Sequence, residues 1–333
     1  MDCVPYKFMC DLGKLLSPWL PFLHNLEYPT VLWKEAFGEA KKKTLLVYFT
    51  LVVDINGGWR YNFDRKSLEK LQEEMAEKNA NVKVIQIIVR NPGPRDVIHH
   101  YHHGLIPSTR NFYPTSQEDF IGRLLPFVSQ RLIMTPHLDL LGLDLCEKRA
   151  VTEQQKQSTH LVDVLVKAIR YHPYFKTLDL CYTKSLEDFT LENFTGAREL
   201  TLKGDWSFAI EKPLKEAFKS GKIIKLLFAD GPVMTFDNEW ANLVINRYKE
   251  TKGVQRFVVE GKEGLRYETF KRKLTDFTLT TRGEGIQNYS LPNHEGEICI
   301  ERVNGNYKFA IYCQSCFTRR PGCICSGYWR DEY

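Results

Sequence analysis

The chain has 333 residues, 46 of them Lys or Arg against 41 Asp or Glu, for a net charge of +5. Basic and acidic residues are intermixed, so no concentrated basic face is expected and a nucleic-acid-binding protein is disfavoured. With 43% hydrophobic and 26% charged residues, the proportions are those of a globular chain long enough for two or three core-forming units.

The opening "MDCVPYKFMCDLGKLLSPWLPFLHNL" carries Asp2 and Asp11 where a secretory leader is cationic. Its most apolar part, Leu15 to Leu26, is broken by Pro18, Pro21 and His24. Neither a leader nor a membrane span is expected, and the expected location is intracellular, cytoplasmic or nuclear. An odd total of nine cysteines then reads as free thiols rather than a disulfide framework.

Residues 1–40 read as a small helical unit. Phe8, Leu12, Leu15 and Leu16 share one helical face, and Leu32, Trp33, Ala36 and Phe37 share another. Residues 41–115 form the next segment. The β-rich runs Leu45 to Val53 and Trp59 to Phe63 flank Asn56-Gly57-Gly58, which predicts a β-hairpin over 44–63. "SLEKLQEEMAEKN" then reads as a helix capped by Ser67, "VKVIQIIV" as a buried strand, and the proline-rich stretch that follows as a long loop.

From residue 116 to 290 a helical stretch leads to a short strand five times over. The strands share alternating large apolar pairs: Leu132 and Met134, Leu178 and Leu180, Leu200 and Leu202, Leu226 and Phe228, Phe257 and Val259. Alternation at period two turns these pairs toward the helices. Asp179, Thr201, Lys203, Lys225 and Val258 then point to the opposite face. The fold class expected is α/β, a leucine-rich-repeat-like helix–strand solenoid; a single doubly wound sheet is the alternative. Residues 291–333 return to β structure, with a hairpin over 295–313 turning at Asn304-Gly305, followed by a cysteine-rich tail.

That tail holds Cys313-x-x-Cys316 and Cys323-x-Cys325. The first spacing suits a zinc knuckle and the second is less usual, so a closed structural zinc site and a set of free thiols are both open readings. No other cofactor is expected. His99, His100, His102 and His103 lie in the long loop without the rigid helical spacing of a catalytic metal site. Phosphate-binding glycine motifs and a G-x-S-x-G elbow are absent, so no enzyme is expected. Trp206, just past "LTLKGD", is either a wedge between repeats or an exposed anchor for a partner.

The stretches "MDCVPYKFMCDLGKLL … VLWKEAF", "GGWRYNF", "LTLKGDWSFAIEKPLKEAFKSGKIIKLLF" and "MTFDNEW" together resemble a large, expanded group of nematode F-box-related proteins, over residues 1 to about 260. The resemblance implies an N-terminal module that docks on the Skp-type adaptor of a cullin ubiquitin ligase, with a recognition domain behind it. Val4, Pro5 and Phe8 would stand at the module's opening. Leu12, Leu15, Leu16, Leu20 and Trp33 would supply its docking face, and the repeats would hold an unknown protein substrate. The segment between these helices is short and proline-rich, and the "L…VCK.W" run of an ordinary F-box is missing. The expected function is therefore a non-catalytic intracellular protein-binding module, a candidate substrate-recognition adaptor. The alternatives are a scaffold without ligase association and a zinc-stabilised nucleic-acid-binding factor.

Overall fold

A computed structural model describes residues 7–9, 12, 31–53, 56–90, 112–140, 153–170, 172, 175–229, 235–253, 257–282, 286–294, 296–303 and 306–313. The protein is mixed α/β, and the chain divides into two compact units. Described residues up to His172 belong to the first and those from Phe175 onward to the second. The division falls inside the stretch 116–290 that the sequence presents as a single run of repeats.

In the first unit the strands lie in the order β5-β3-β1-β2-β4. Helix α1 (Val31–Lys42) leads into β1 (Thr44–Val53), which turns back antiparallel into β2 (Trp59–Phe63), the hairpin expected from Asn56-Gly57-Gly58. Helix α2 (Leu68–Glu77) starts at Ser67, whose hydroxyl accepts the Lys70 N–H, and carries the chain to β3 (Asn81–Arg90), parallel to β1. Strand β4 (Tyr113–Thr115) adds to the β2 edge. One helical turn, α3 (Gln117–Asp119), a π-turn at Phe120–Leu124 and α4 (Leu125–Arg131) lead to β5 (Leu132–Leu140), parallel to β3; α5 (Glu153–Ile169) follows.

Because β1 is central, its second half is buried on both faces, which explains why only Thr50 interrupts its apolar residues there. The core is aromatic: Phe49 lies 4.8 Å from Phe63, Phe63 lies 5.5 Å from Phe127, and Trp59 lies 5.5 Å from Phe120. Within α1, Ala36, Phe37 and Ala40 are buried and Trp33 is half-buried. Leu32, expected on that inward face, is exposed. Packing selects the Ala36–Phe37–Ala40 stripe, and Leu32 falls outside it.

The second unit contains β6 (Thr177–Cys181), α6 (Lys184–Asn193), β7 (Glu199–Lys203), α7 (Glu211–Lys219), β8 (Lys225–Ala229), β9 (Thr235–Phe236), α8 (Asn238–Glu250), β10 (Val258–Glu263), α9 (Tyr267–Lys271), β11 (Thr278–Arg282), β12 (Ile286–Ser290), β13 (Gly296–Val303) and β14 (Asn306–Cys313). Its strand order is β11-β12-β13-β14-β10-β8-β7-β6. Strands β6, β7, β8 and β10 are parallel and follow one another in chain order. After β10 the chain passes to the far edge and returns as an antiparallel meander, which lays β14 against β10. The hairpin expected over 295–313 is the last leg of that meander. Strands β11 and β12 were not anticipated.

Each parallel strand enters its ladder in the same way. Lys176 O accepts the N–H groups of Arg198 and Glu199, Arg198 O accepts those of Ile224 and Lys225, and Ile224 O accepts that of Val258. Leu178, Leu200, Leu226 and Val259 stand level across the four strands, all fully buried. Val259, not Phe257, therefore holds the place equivalent to Leu226, two residues later than the apolar pairing in the sequence suggests. The helices cover this row with stripes at helical spacing: Ile210, Leu214, Ala217 and Phe218 around α7, and Trp240, Ala241, Val244, Ile245 and Tyr248 in α8.

Two buried cations tie α7 and α8 together. Lys215 reaches Glu211 at 2.8 Å, Glu239 at 2.6 Å and Asp237 at 3.5 Å. Burial opposes its charge, but these carboxylates hold its pKa above the ordinary lysine value. Asp237 also caps α8, accepting the N–H groups of Glu239 and Trp240 at 2.9 Å each. Arg247, only 3% exposed, donates to three carbonyls at and just past the carboxyl end of α7: Phe218 at 3.1 Å, Ile223 at 2.7 Å and Gly221 at 3.3 Å. Its guanidinium also lies 4.4 Å from the Phe218 ring centroid and 4.8 Å from that of Phe257. Burial lowers its pKa to about 10, so it stays charged at neutral pH.

Arg247→Lys is expected to cost about 2–4 kcal/mol, because an ammonium cannot reach three carbonyls and stack on two rings at once. Chemical denaturation of the two proteins checks this. A loss as small as that of a surface substitution would show that the carbonyls find other donors.

Candidate functional site

The helix-facing row is sealed, so an interaction surface in the parallel array has to come from the opposite strand face or from the loops at the strand ends. In register, that face presents Thr177, Glu199, Lys225 and Val258 in one row and Asp179, Thr201, Leu227 and Glu260 in the next. At β10 it is closed: Val258 is 2% exposed and packs with Cys299 of β13 and with Leu227. Toward β6 and β7 it opens, and Asp179, Thr201, Lys203 and Lys225 are all half-buried. The structure thus brings these four expected residues together on one face, with Thr201 directly beside Asp179.

The face is charged, and its best-defined charges are internally matched. Lys203 Nζ lies 3.0 Å from Asp179 Oδ1 and 3.3 Å from Oδ2. Burial raises the Asp179 pKa above the usual carboxylate value; Lys203, and more weakly Lys225, pull in the other direction. A surface of this kind offers shape and charge to a partner, with cations held in place by their own counter-charges.

At the carboxyl ends of β6 and β7 lies a built corner. Gly204, at a φ of 89°, turns the chain sharply after β7, a conformation that favours glycine. Trp206 follows, 2% exposed, its indole N–H donating to Lys203 O at 2.9 Å and its ring edge-on to Tyr182 at 5.3 Å. Tyr182 N–H donates to the same Lys203 carbonyl at 2.8 Å. Glu187 receives the Tyr182 hydroxyl at 3.4 Å and the Ser207 hydroxyl. Burial, and then Glu187, raise the Tyr182 pKa. Trp206 is therefore packed into the corner, and the buried ring cannot serve as an exposed anchor. The exposed aromatic of the corner is Phe208, 71% exposed. Only its position two residues past a tryptophan, at a strand-to-helix turn, could have marked it in the sequence.

Of the residues tied to adaptor docking, Phe8 is 55% exposed, Leu12 is half-buried and Trp33 is half-buried, 5.7 Å from Phe37. Val4, Pro5, Leu15, Leu16 and Leu20 lie outside the described residues. So do His99, His100, His102 and His103, and Cys316, Cys323 and Cys325, while Cys313 is the last residue of β14. Among the described residues no group of three or more His, Cys, Asp or Glu side chains could hold a metal ion. No helix of the described residues is long and apolar enough to cross a membrane. Compared with protein-family models, curated proteins and solved structures, the chain matches none.

Lys203→Ala is expected to destabilise the protein in a pH-dependent way. Asp179 holds its proton more tightly folded than unfolded, so its contribution to stability is present in acid and lost as pH rises through its folded pKa. Removing Lys203 pushes that pKa higher still. The penalty should be near zero at about pH 4 and grow to about 1–3 kcal/mol at about pH 7. Urea midpoints across that range, with Lys203→Ala/Asp179→Ala recovering the loss, check it. A penalty that does not vary with pH would mean that Asp179 is not the group responsible.

Proposed function

We propose that this chain is a non-catalytic protein-recognition module in which the parallel strand array, read as a short leucine-rich-repeat-like solenoid, presents its open face to a protein partner. The observation that carries the proposal is the half-buried charged face of β6, β7 and β8, on which Asp179, Thr201, Lys203 and Lys225 stand in adjoining rows. A face built from successive parallel strands holds its side chains at fixed spacing. That suits it to recognition without chain reordering on binding. Phe208, exposed at the carboxyl edge, supplies an aromatic anchor beside it.

We further propose that the module works as a substrate-recognition adaptor of a cullin-type ubiquitin ligase. The resemblance of the N-terminal stretches to F-box-related proteins supports this, as does the exposure of Phe8, Val31 and Leu32, apolar side chains free to meet an adaptor.

Two binding measurements test the proposal. The full chain should retain a purified Skp-type adaptor, and Leu12→Asp or Phe8→Asp should reduce that retention at least tenfold. Lys203→Glu/Lys225→Glu should leave adaptor retention intact while removing the other proteins the chain captures. An intact chain that does not bind the adaptor rules out the ligase role. Capture unaffected by the strand-face variant moves recognition off this face.

A further inference from the structure

The chain contains two Asn-x-Ser/Thr motifs, Asn193-Phe194-Thr195 and Asn288-Tyr289-Ser290, the acceptor pattern for N-linked glycans. A glycan is bulky and strongly hydrated, so an asparagine that carries one stands at the surface of its folded protein. In this fold both asparagines are interior residues: Asn193 is 8% exposed and Asn288 is 0% exposed.

Asn193 is the last residue of α6, and its Nδ2 donates to the Phe189 carbonyl at 2.9 Å. Phe189 and Phe194 at the same helix end are buried as well. Asn288 lies in the middle of β12, in register with Thr281 of β11 on one side and Cys299 of β13 on the other. Cys299 is itself buried and packs with Val258, so this part of the sheet face is closed. Glycan transfer bonds Nδ2 to the anomeric carbon of the first sugar. The lipid pyrophosphate that carried the sugar leaves, and one Nδ2 proton passes to a base of the transferase. A sugar so attached needs room where neither asparagine shows surface. Making room unpacks the end of α6 at one site and the centre of the meander at the other. Leaving the sugar inside buries hydroxyls without partners, each of them costly.

We propose that this fold excludes N-linked glycans at both motifs, and that the protein therefore folds and works in a compartment without glycan transfer. Transfer acts on chain that has not yet folded, so burial in the finished structure protects neither site there. The inference stands apart from the adaptor reading, since it uses neither the N-terminal residues nor the strand face.

The experiment is translation of the full chain, with and without a cleavable secretory leader, in the presence of microsomes. A reductant keeps the nine cysteines as thiols. Glycan is read as endoglycosidase-sensitive mass, and folding as resistance to limited proteolysis after detergent release. The translocated wild type should gain glycan at both motifs, with a protease-resistant fraction at least tenfold below that of the leaderless chain. Thr195→Ala and Ser290→Ala leave the asparagines in place; each should carry one glycan and stay protease-sensitive. The double variant should carry none and resist proteolysis like the leaderless chain, with thermal unfolding of its own leaderless form showing that the substitutions are tolerated. A translocated wild type that escapes glycan at both motifs, a glycan-bearing chain as resistant as the leaderless one, or a glycan-free double variant that stays sensitive would each overturn the proposal.

Discussion

A strand can join a parallel neighbour only by crossing over one face of the sheet, and the second unit follows from that constraint. Three successive crossings put α6, α7 and α8 over the row Leu178, Leu200, Leu226 and Val259, and each crossing closes with a carbonyl-to-amide contact at the start of the strand. One face is thereby filled with leucine and aromatic rings. The other carries Asp179, Lys203 and Lys225 toward β6 and β7, and Val258 and Leu227 close it at β10.

Helices that cross the same face must also be fixed against one another, and here charge does what apolar packing does in the rows beneath. Lys215 joins α7 to the start of α8 through two carboxylates, Asp237 and Glu239, and Arg247 reaches back from α8 to the carbonyls where α7 ends. The carbonyls at a helix end have no partner within the helix, and an arginine forked across them answers that need while its flat face lies on Phe218 and Phe257.

Local pattern made much of this legible in advance. Alternating leucines marked β6, β7 and β8, Asn56-Gly57-Gly58 marked the first hairpin, and the outward placement of Asp179, Thr201, Lys203 and Lys225 followed from period two. What was hidden depended on register or on distant neighbours. In β10, Phe257 looked like the first member of the apolar pair, but hydrogen bonding sets Val259 level with Leu226. Val258, outward by the same rule, is nevertheless buried, because Cys299 of β13 packs with it. Strands β11 and β12 have their signal in "FTLTT" and "IQNYS" around two glycines, a hairpin pattern too weak to mark strands by itself. Trp206 and Phe208 could not be ranked from sequence, since burial was decided by Tyr182 and the Lys203 carbonyl.

The chain-ordered ladder has a genealogical consequence. Between β6 and β8 each strand bonds only to the ones before and after it, and the entry contacts at Lys176, Arg198 and Ile224 are interchangeable. Duplicating or excising one such segment in frame would leave the flanking strands facing equivalent edges, so a lineage could lengthen or shorten the array by whole steps without redesigning the meander that closes it.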